Sequence, residues 1–320
     1  MHRFSSASHE CGPYYENDLV VVGLPYRRQY KFWDRAFLGV CSDASLEVHM
    51  PAPEEMFKMR IVYTVPGMEA VTVHRDLVYT TAGQTELKMD VYCPAGMREG
   101  SRAPVVMLVH GGPIGIPMSP KDWGVFVSYG ELLSASGLVA VTFNHRFYSP
   151  SHLHEAASDV AHAIDYVRGN ADSLHVDKDR VGVWAFSGGG VFLSLPMRDL
   201  PEFVRCLVSY YAILDIQLPP PGKESEISEE TRKEFSPLFH LAANPLKIPP
   251  IFIARAGLDN PWLNATVDRF IHEAIARNAA LEIITHPGGH HGFDILDDDA
   301  RSRAIIQRTL FFLKTHLEER

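Results

Sequence analysis

Six short runs of almost wholly apolar residues punctuate the chain from residue 105 onward: Val105 to Val109, Leu138 to Phe143, Val181 to Phe186, Cys206 to Leu214, Ile251 to Ala256 and Leu281 to Thr285. Runs this short, with no polar face, read as strands covered on both sides, and such strands belong to a parallel sheet. Helical spacing fills the gaps. Ala156, Val160, Ala163, Ile164 and Val167 share one helix face, and Ile306, Leu310, Leu313 and Leu317 share another. Ahead of the first run, Ala70 to Tyr79 and Glu86 to Tyr92 flank Thr81-Ala82-Gly83-Gln84, the pattern of an antiparallel hairpin. The predicted fold class is therefore α/β, a mostly parallel central sheet with helices on both faces.

Two stretches interrupt the alternation. Residues 1–69 are rich in aromatics, including Tyr14, Tyr15, Tyr26, Tyr30, Phe32, Trp33 and Phe37, with Pro51 and Pro53 suggesting a bend. Residues 216–249 hold Pro219-Pro220-Pro221, a charged run from Lys223 to Glu234, and apolar Leu238 to Leu246. A long insertion between two sheet strands commonly serves as a lid or binding loop. The expected organisation is an N-terminal extension over 1–69, capping the site, and a sheet domain over 70–320 with a lid near 216–249.

Charge and apolar length remove whole classes of partner. The formal net charge is −9 and no Lys or Arg run could neutralise several phosphates, so nucleic acid has no electrostatic basis for binding. Pro104 to Val109 and Ala304 to Leu313 fall short of the roughly 20 apolar residues of a membrane span. The N-terminus lacks the basic region and long apolar core of a secretory signal, which makes cytoplasmic residence the expectation. Cys11, Cys41, Cys93 and Cys206 are widely spaced and predict reduced structural thiols. His152, His154 and His290 have no Cys or carboxylate partner at ligand spacing, so neither a metal nor any other cofactor is expected. The implied partner is a small molecule, and a homodimer is compatible with the sequence.

Chemistry concentrates at strand ends. Val181 to Phe186 runs into Ser187-Gly188-Gly189-Gly190 and then an apolar helical stretch, a strand, turn and helix with a serine at the tip. Such a turn exposes the hydroxyl and aims the following N–H at the space beside it. The spacing Ala185-Phe186-Ser187-Gly188-Gly189 matches Gly-x-Ser-x-Gly with alanine in place of the first glycine. His110-Gly111-Gly112-Pro113 follows the strand Val105 to Val109, so the Gly111 and Gly112 N–H groups, with that of Gly188, could hold a developing oxyanion. His110 itself is expected to brace the loop. A serine hydroxyl needs a base, and the base needs an acid to fix its tautomer. Gly257-Leu258-Asp259 after Ile251 to Ala256 places a carboxylate at a strand end, and His286-Pro287-Gly288-Gly289-His290-His291-Gly292-Phe293 offers histidines on the next loop. Asp215, at the end of Cys206 to Leu214, is the rival acid. Asp297-Asp298-Asp299 precede a helix and suit its N-terminal cap.

These motifs, with Met89-Asp90-Val91-Tyr92-Cys93-Pro94 and Val176-Asp177-Lys178-Asp179-Arg180, resemble the esterase/lipase branch of the α/β-hydrolases over residues 70–318, near the bacterial acetyl-esterase, hormone-sensitive-lipase-like and dienelactone-hydrolase-like groups. In that family the catalytic histidine precedes Gly-Phe, which favours His291 over His290 and His286. The departures lie at Ala185 and at Pro113-Ile114-Gly115, where relatives often carry an aromatic or a further glycine. The resemblance implies a Ser187–His291–Asp259 triad and hydrolysis of small or short-acyl carboxylic esters. Peptidase, lactonase, formamidase or acyltransferase chemistry would use the same triad, and a catalytically inactive binding protein is the alternative from another class. Phe186, Trp123, Trp262, Tyr210 and Tyr211 are the expected pocket-lining residues.

Overall fold

The computed structural model describes residues 53–114, 119–222 and 224–318, so the aromatic-rich segment up to residue 52 lies outside the described residues. Eight strands form one sheet: β1 (Thr72–Ala82), β2 (Thr85–Cys93), β3 (Ala103–Val109), β4 (Val139–Phe143), β5 (Val176–Phe186), β6 (Val204–Tyr210), β7 (Ile251–Ala256) and β8 (Leu281–His286). Their order is β1-β2-β4-β3-β5-β6-β7-β8. The hairpin β1–β2 and the pair β2–β4 are antiparallel, and every other pair is parallel. This is the α/β-hydrolase fold. Parallel neighbours put the C-terminal ends of β3, β5, β6, β7 and β8 on one edge, and strand order reverses around β3, where a crevice opens in sheets of this kind.

Among the described residues the helices are α1 (Pro53–Met56), α2 (Gly124–Ala135), α3 (Leu153–Gly169), α4 (Ser194–Asp199), α5 (Glu229–Glu234), α6 (Pro237–Ala243), α7 (Pro261–Ala276), α8 (Phe293–Leu296) and α9 (Ala300–Glu318). The pleat alternates side chains between two faces. Val106, Leu108, Trp184, Phe186, Val208, Tyr210, Phe252 and Ala254 share one core layer with Phe126, Tyr129 and Leu133 of α2 and Ile306, Leu310 and Leu313 of α9. The intervening residues, such as Val105, Met107 and Val183, are equally buried beneath the other face, where α3 lies against β5 and α7 against β7. Both faces are dry, which explains why the strand sequences carry no polar stripe.

Two boundaries differ from expectation. The run Cys206 to Leu214 is strand only to Tyr210, because Tyr211 turns into the left-handed region at φ 38°. Residues 211 to 214 remain buried and apolar because they line the back of the Ser187 turn, where the Ile213 N–H donates to the Ser187 carbonyl at 2.9 Å. The sheet domain also starts earlier than residue 70. Ile61 and Met68 are buried in its core, and the Ile61 and Val62 N–H groups donate to Ser128 Oγ and the Asp294 carbonyl. No regular apolar period marks residues 53–69, so the sequence pattern gave no reason to join them to the sheet. Among the described residues, no helix is long and apolar enough to cross a membrane.

Candidate active site

Ser187 leaves β5 with φ 52°, a left-handed conformation that costs a non-glycine residue about 1–3 kcal/mol. The surrounding backbone holds it there and allows no side chain beside it. A Cβ on Gly188 would fall 1.7 Å from the Gly112 carbonyl oxygen, and one on Gly111 would come within 2.9 Å of Ser187 Cβ. The two glycine-rich turns therefore touch backbone to backbone. The N–H groups of Gly111 and Gly112 donate to no main-chain carbonyl among the described residues.

The loop after β8 brings His291 across. Its Nε2 lies 2.9 Å from Ser187 Oγ, and its Nδ1 lies 2.7 Å from Asp259 Oδ2. All three side chains are buried, with Ser187 retaining 7% exposure. Asp259 receives its own main-chain support, since the Asn260 N–H donates to Oδ1 at 2.6 Å. The acid and histidine turns are laced together: Gly257 N–H donates to the His286 carbonyl and Leu258 N–H to the Gly289 carbonyl. With a carboxylate on Nδ1, the imidazole carries its proton there and presents a bare Nε2 to the serine hydroxyl.

The sequence matches the Dienelactone hydrolase family over residues 145–317, more than half of the chain, and the family described as BD-FAE over residues 89–196. The chain belongs to the dienelactone hydrolase family. It is similar to an acylcarnitine hydrolase of Mus musculus, 31% identical over 117 residues, a match that takes in 34% of this chain and 20% of that protein. The chain thus spans about a fifth of that relative's length. Among solved structures, a thermophilic esterase of the planctomycete Thermogutta terrifontis superposes with a TM-score of 0.61 at 19% identity, covering 78% of this chain and 94% of that one. A truncated carbohydrate esterase from gut microbiota gives 0.62 at 18% identity, covering 78% and 97%. These likenesses show the same α/β-hydrolase fold.

Other residues of this family member fall into place around that centre. Asp215 is occupied elsewhere: Ser236 and Gln217 donate to Oδ1, and Arg269 Nε donates to Oδ2 at 2.8 Å. Of the neighbouring histidines, His290 is held by Asp297 through both its N–H and Nδ1, and His286 Nε2 faces Ser302 and Asp299. The acidic triplet divides its work, since Asp299 caps α9 through the Ser302 N–H while Asp297 grips His290. Tyr210 is fully buried in the α2–α9 core layer and its hydroxyl pairs with Thr309. Phe186 is likewise packed beneath the turn, stacked on Trp184 at 5.3 Å and edge-on to Phe126. Both were expected at the surface of the pocket because they end strands, yet their place on the pleat points them into the core. Trp123 is half-buried and stacks on Phe57 at 4.6 Å, while Trp262 opens α7 just after the Asp259 turn.

His110 and His145 form a second buried pair that only partly showed in the sequence. Their rings stack 3.5 Å apart and nearly parallel. The His145 N–H donates to His110 Nε2, so the His110 proton sits on Nδ1, facing the Gly111 carbonyl at 2.6 Å. His145 Nε2 in turn donates to the His110 carbonyl at 3.2 Å. Burial pushes His110 down to about 4 and His145 well below its ordinary value. Asn144 and His145 follow β4, whose apolar pattern gave no sign that His145 would pack against His110 beside the Gly111 turn. Among the described residues no cluster of three or more His, Cys, Asp or Glu could hold a metal. Burial pushes the thiol of Cys93 up to about 11 and that of Cys206 higher, as suits unreactive core residues.

Proposed function

We propose that the protein is a serine carboxylic ester hydrolase, with Ser187 as nucleophile, His291 as general base and Asp259 as the orienting acid. The observation that carries the reading is the unbroken hydrogen-bonded chain from Ser187 Oγ through the imidazole to Asp259 Oδ2. Ser187 Oγ attacks the ester carbonyl as His291 Nε2 takes its proton, and Asp259 stabilises the imidazolium that results. The oxyanion is held by the N–H groups of Gly111, Gly112 and Gly188, each worth on the order of 3 kcal/mol of transition-state stabilisation. The imidazolium protonates the leaving alcohol. Water then repeats the sequence on the acyl-enzyme and restores the serine.

Small or short-acyl esters fit this site best. Ser187 is only 7% exposed, and Phe147 closes against Gly112, where a Cβ would meet its ring at 2.5 Å. The insertion over 216–249 supplies α5 and α6, and the Leu238 N–H at the start of α6 donates to the Leu214 carbonyl behind the Ser187 turn. That attachment suits a segment that shapes the entrance. The test is hydrolysis of p-nitrophenyl esters of graded acyl length, with Ser187→Ala as control. Activity should peak at acetyl or butyryl and fall by a factor of about 10⁴ or more in the variant. Undiminished hydrolysis by Ser187→Ala would reject the nucleophile.

A further inference from the structure

A second carboxylate lies near His291 with no part in the reaction just described. Asp294, three residues further along the chain, is fully buried, where an ionised carboxyl without partners is costly. Tyr129 of α2 donates its hydroxyl to Oδ2 at 2.8 Å and Tyr211 donates to Oδ1 at 2.9 Å, so each oxygen has a phenolic donor. The segment is tied down by its backbone too, since the Asp294 carbonyl accepts the Val62 N–H at 2.8 Å.

Tyr211 links this carboxylate to the imidazole. Its ring centre lies 4.7 Å from that of His291 and 5.6 Å from that of Phe293. It holds a left-handed backbone conformation, φ 38°, directly after β6, and its N–H donates to the Ala254 carbonyl. A bulky non-glycine residue held in that region beside reacting groups points to a purpose beyond filling space. A merely satisfied core carboxyl would need the two phenols and nothing more.

The proposed cycle supplies that purpose. Once Ser187 is acylated, its Oγ no longer carries a proton to share with Nε2, and the imidazole keeps Asp259 as its hydrogen-bonded anchor while it must deprotonate water. The contact with the Tyr211 ring does not depend on the state of Ser187. We infer that Asp294, acting through Tyr211, is a positioning residue that keeps His291 in register during deacylation and adds negative charge favouring its imidazolium form. The inference rests on His291 being the base. The groups facing Asp294 are Tyr129 from α2, Tyr210 and Tyr211 from the end of β6, and His291 on its own segment. Burial pushes Asp294 up to about 6, partly opposed by the two tyrosine bonds and by His291, so the charge is in place at neutral pH.

The test compares wild type with Asp294→Asn, Tyr211→Phe and Ser187→Ala on p-nitrophenyl butyrate. Asp294→Asn should lower kcat about tenfold with kcat/KM within about twofold, so that KM falls alongside kcat, and release a burst of one p-nitrophenol per enzyme as deacylation becomes slower than acylation. Losing the negative charge makes the imidazolium harder to form, so the acid limb of the kcat profile should move down by about half a pH unit. Tyr211→Phe keeps the ring and loses the hydroxyl bond, and kcat should fall about threefold. Wild-type kcat and an unmoved acid limb in Asp294→Asn, with Ser187→Ala inactive, would overturn the inference while leaving the triad standing. Activity retained in Ser187→Ala would instead remove the triad. Should Asp294→Asn not fold, Tyr211→Phe decides alone, and an unchanged kcat there counts against the brace.

Discussion

His110 and His291 are both buried histidines within reach of the Ser187 turn, yet their surroundings assign them opposite tasks. His110 has main-chain partners and a stacked imidazole, and burial holds it down at about 4. It stays neutral and carries a fixed tautomer that props the Gly111 turn. His291 has a carboxylate on Nδ1 and a hydroxyl on Nε2, the arrangement that lets an imidazole accept a proton and keep it briefly. Burial by itself therefore removes basicity, and the carboxylate partner is what makes a base. The proposed brace extends the same lesson, because Asp294 would bring a second negative charge to His291, whereas among the described residues no carboxylate bonds to His110.

The largest effect that could break this contrast lies at Asp259. Asp259→Asn keeps the shape but offers Nδ1 no charge and favours the wrong tautomer, so kcat should fall by about 10⁴. The matched variant Asp215→Asn should leave ester hydrolysis within about threefold, since its carboxylate serves Ser236, Gln217 and Arg269. Steady-state kinetics on the two proteins separates the acids, and a reversed pair of results would move the acid to the rival strand end. A smaller effect is expected at the neutral pair. His110→Gln loses the stack and disturbs the Gly111 turn, and kcat should fall about 10- to 100-fold, in line with a misplaced oxyanion donor.

The smallest effect is on stability. Because the folded His110 binds its proton only near pH 4 and an unfolded histidine near 6.5, the stabilisation it gives is complete above 6.5 and is lost as pH falls from 6.5 to 4. The loss over that window amounts to about 3 kcal/mol. Urea unfolding at pH 7, 5.5 and 4.5 should show a shallower acid decline in His110→Gln than in wild type. Asp294, raised to about 6, acts in the opposite sense and is common to both proteins, so it drops out of the comparison. Equal slopes would mean that the pair is not held neutral.

The parallel sheet and the turns at its C-terminal edge were legible because both are local. An apolar run with no polar face announces a covered strand, and Ser187-Gly188-Gly189 after such a run announces a tight turn where backbone must approach backbone, as the 1.7 Å clash at Gly188 bears out. Positions read from strand ends were less safe. Phe186 and Tyr210 end their strands, but which face of the pleat each occupies depends on what packs there, and α2 and α9 claimed both. His145, Tyr211 and Asp294 were harder still. Their roles come from contacts across 35, 83 and 165 residues of chain, and neither spacing nor composition encodes such pairings. A carboxylate three residues after His291 in His291-Gly292-Phe293-Asp294 was the one available hint, and a helix start offers a blander account of it.

The proposed activation of Ser187 is most directly tested by covalent labelling. Wild type, Ser187→Ala and His291→Ala would be treated with a fluorophosphonate and measured by intact-mass spectrometry with peptide mapping. A single phosphonyl adduct on Ser187 in wild type, absent from Ser187→Ala and strongly slowed in His291→Ala, is the predicted result. An unlabelled wild-type protein, or an adduct on any other residue, would contradict it.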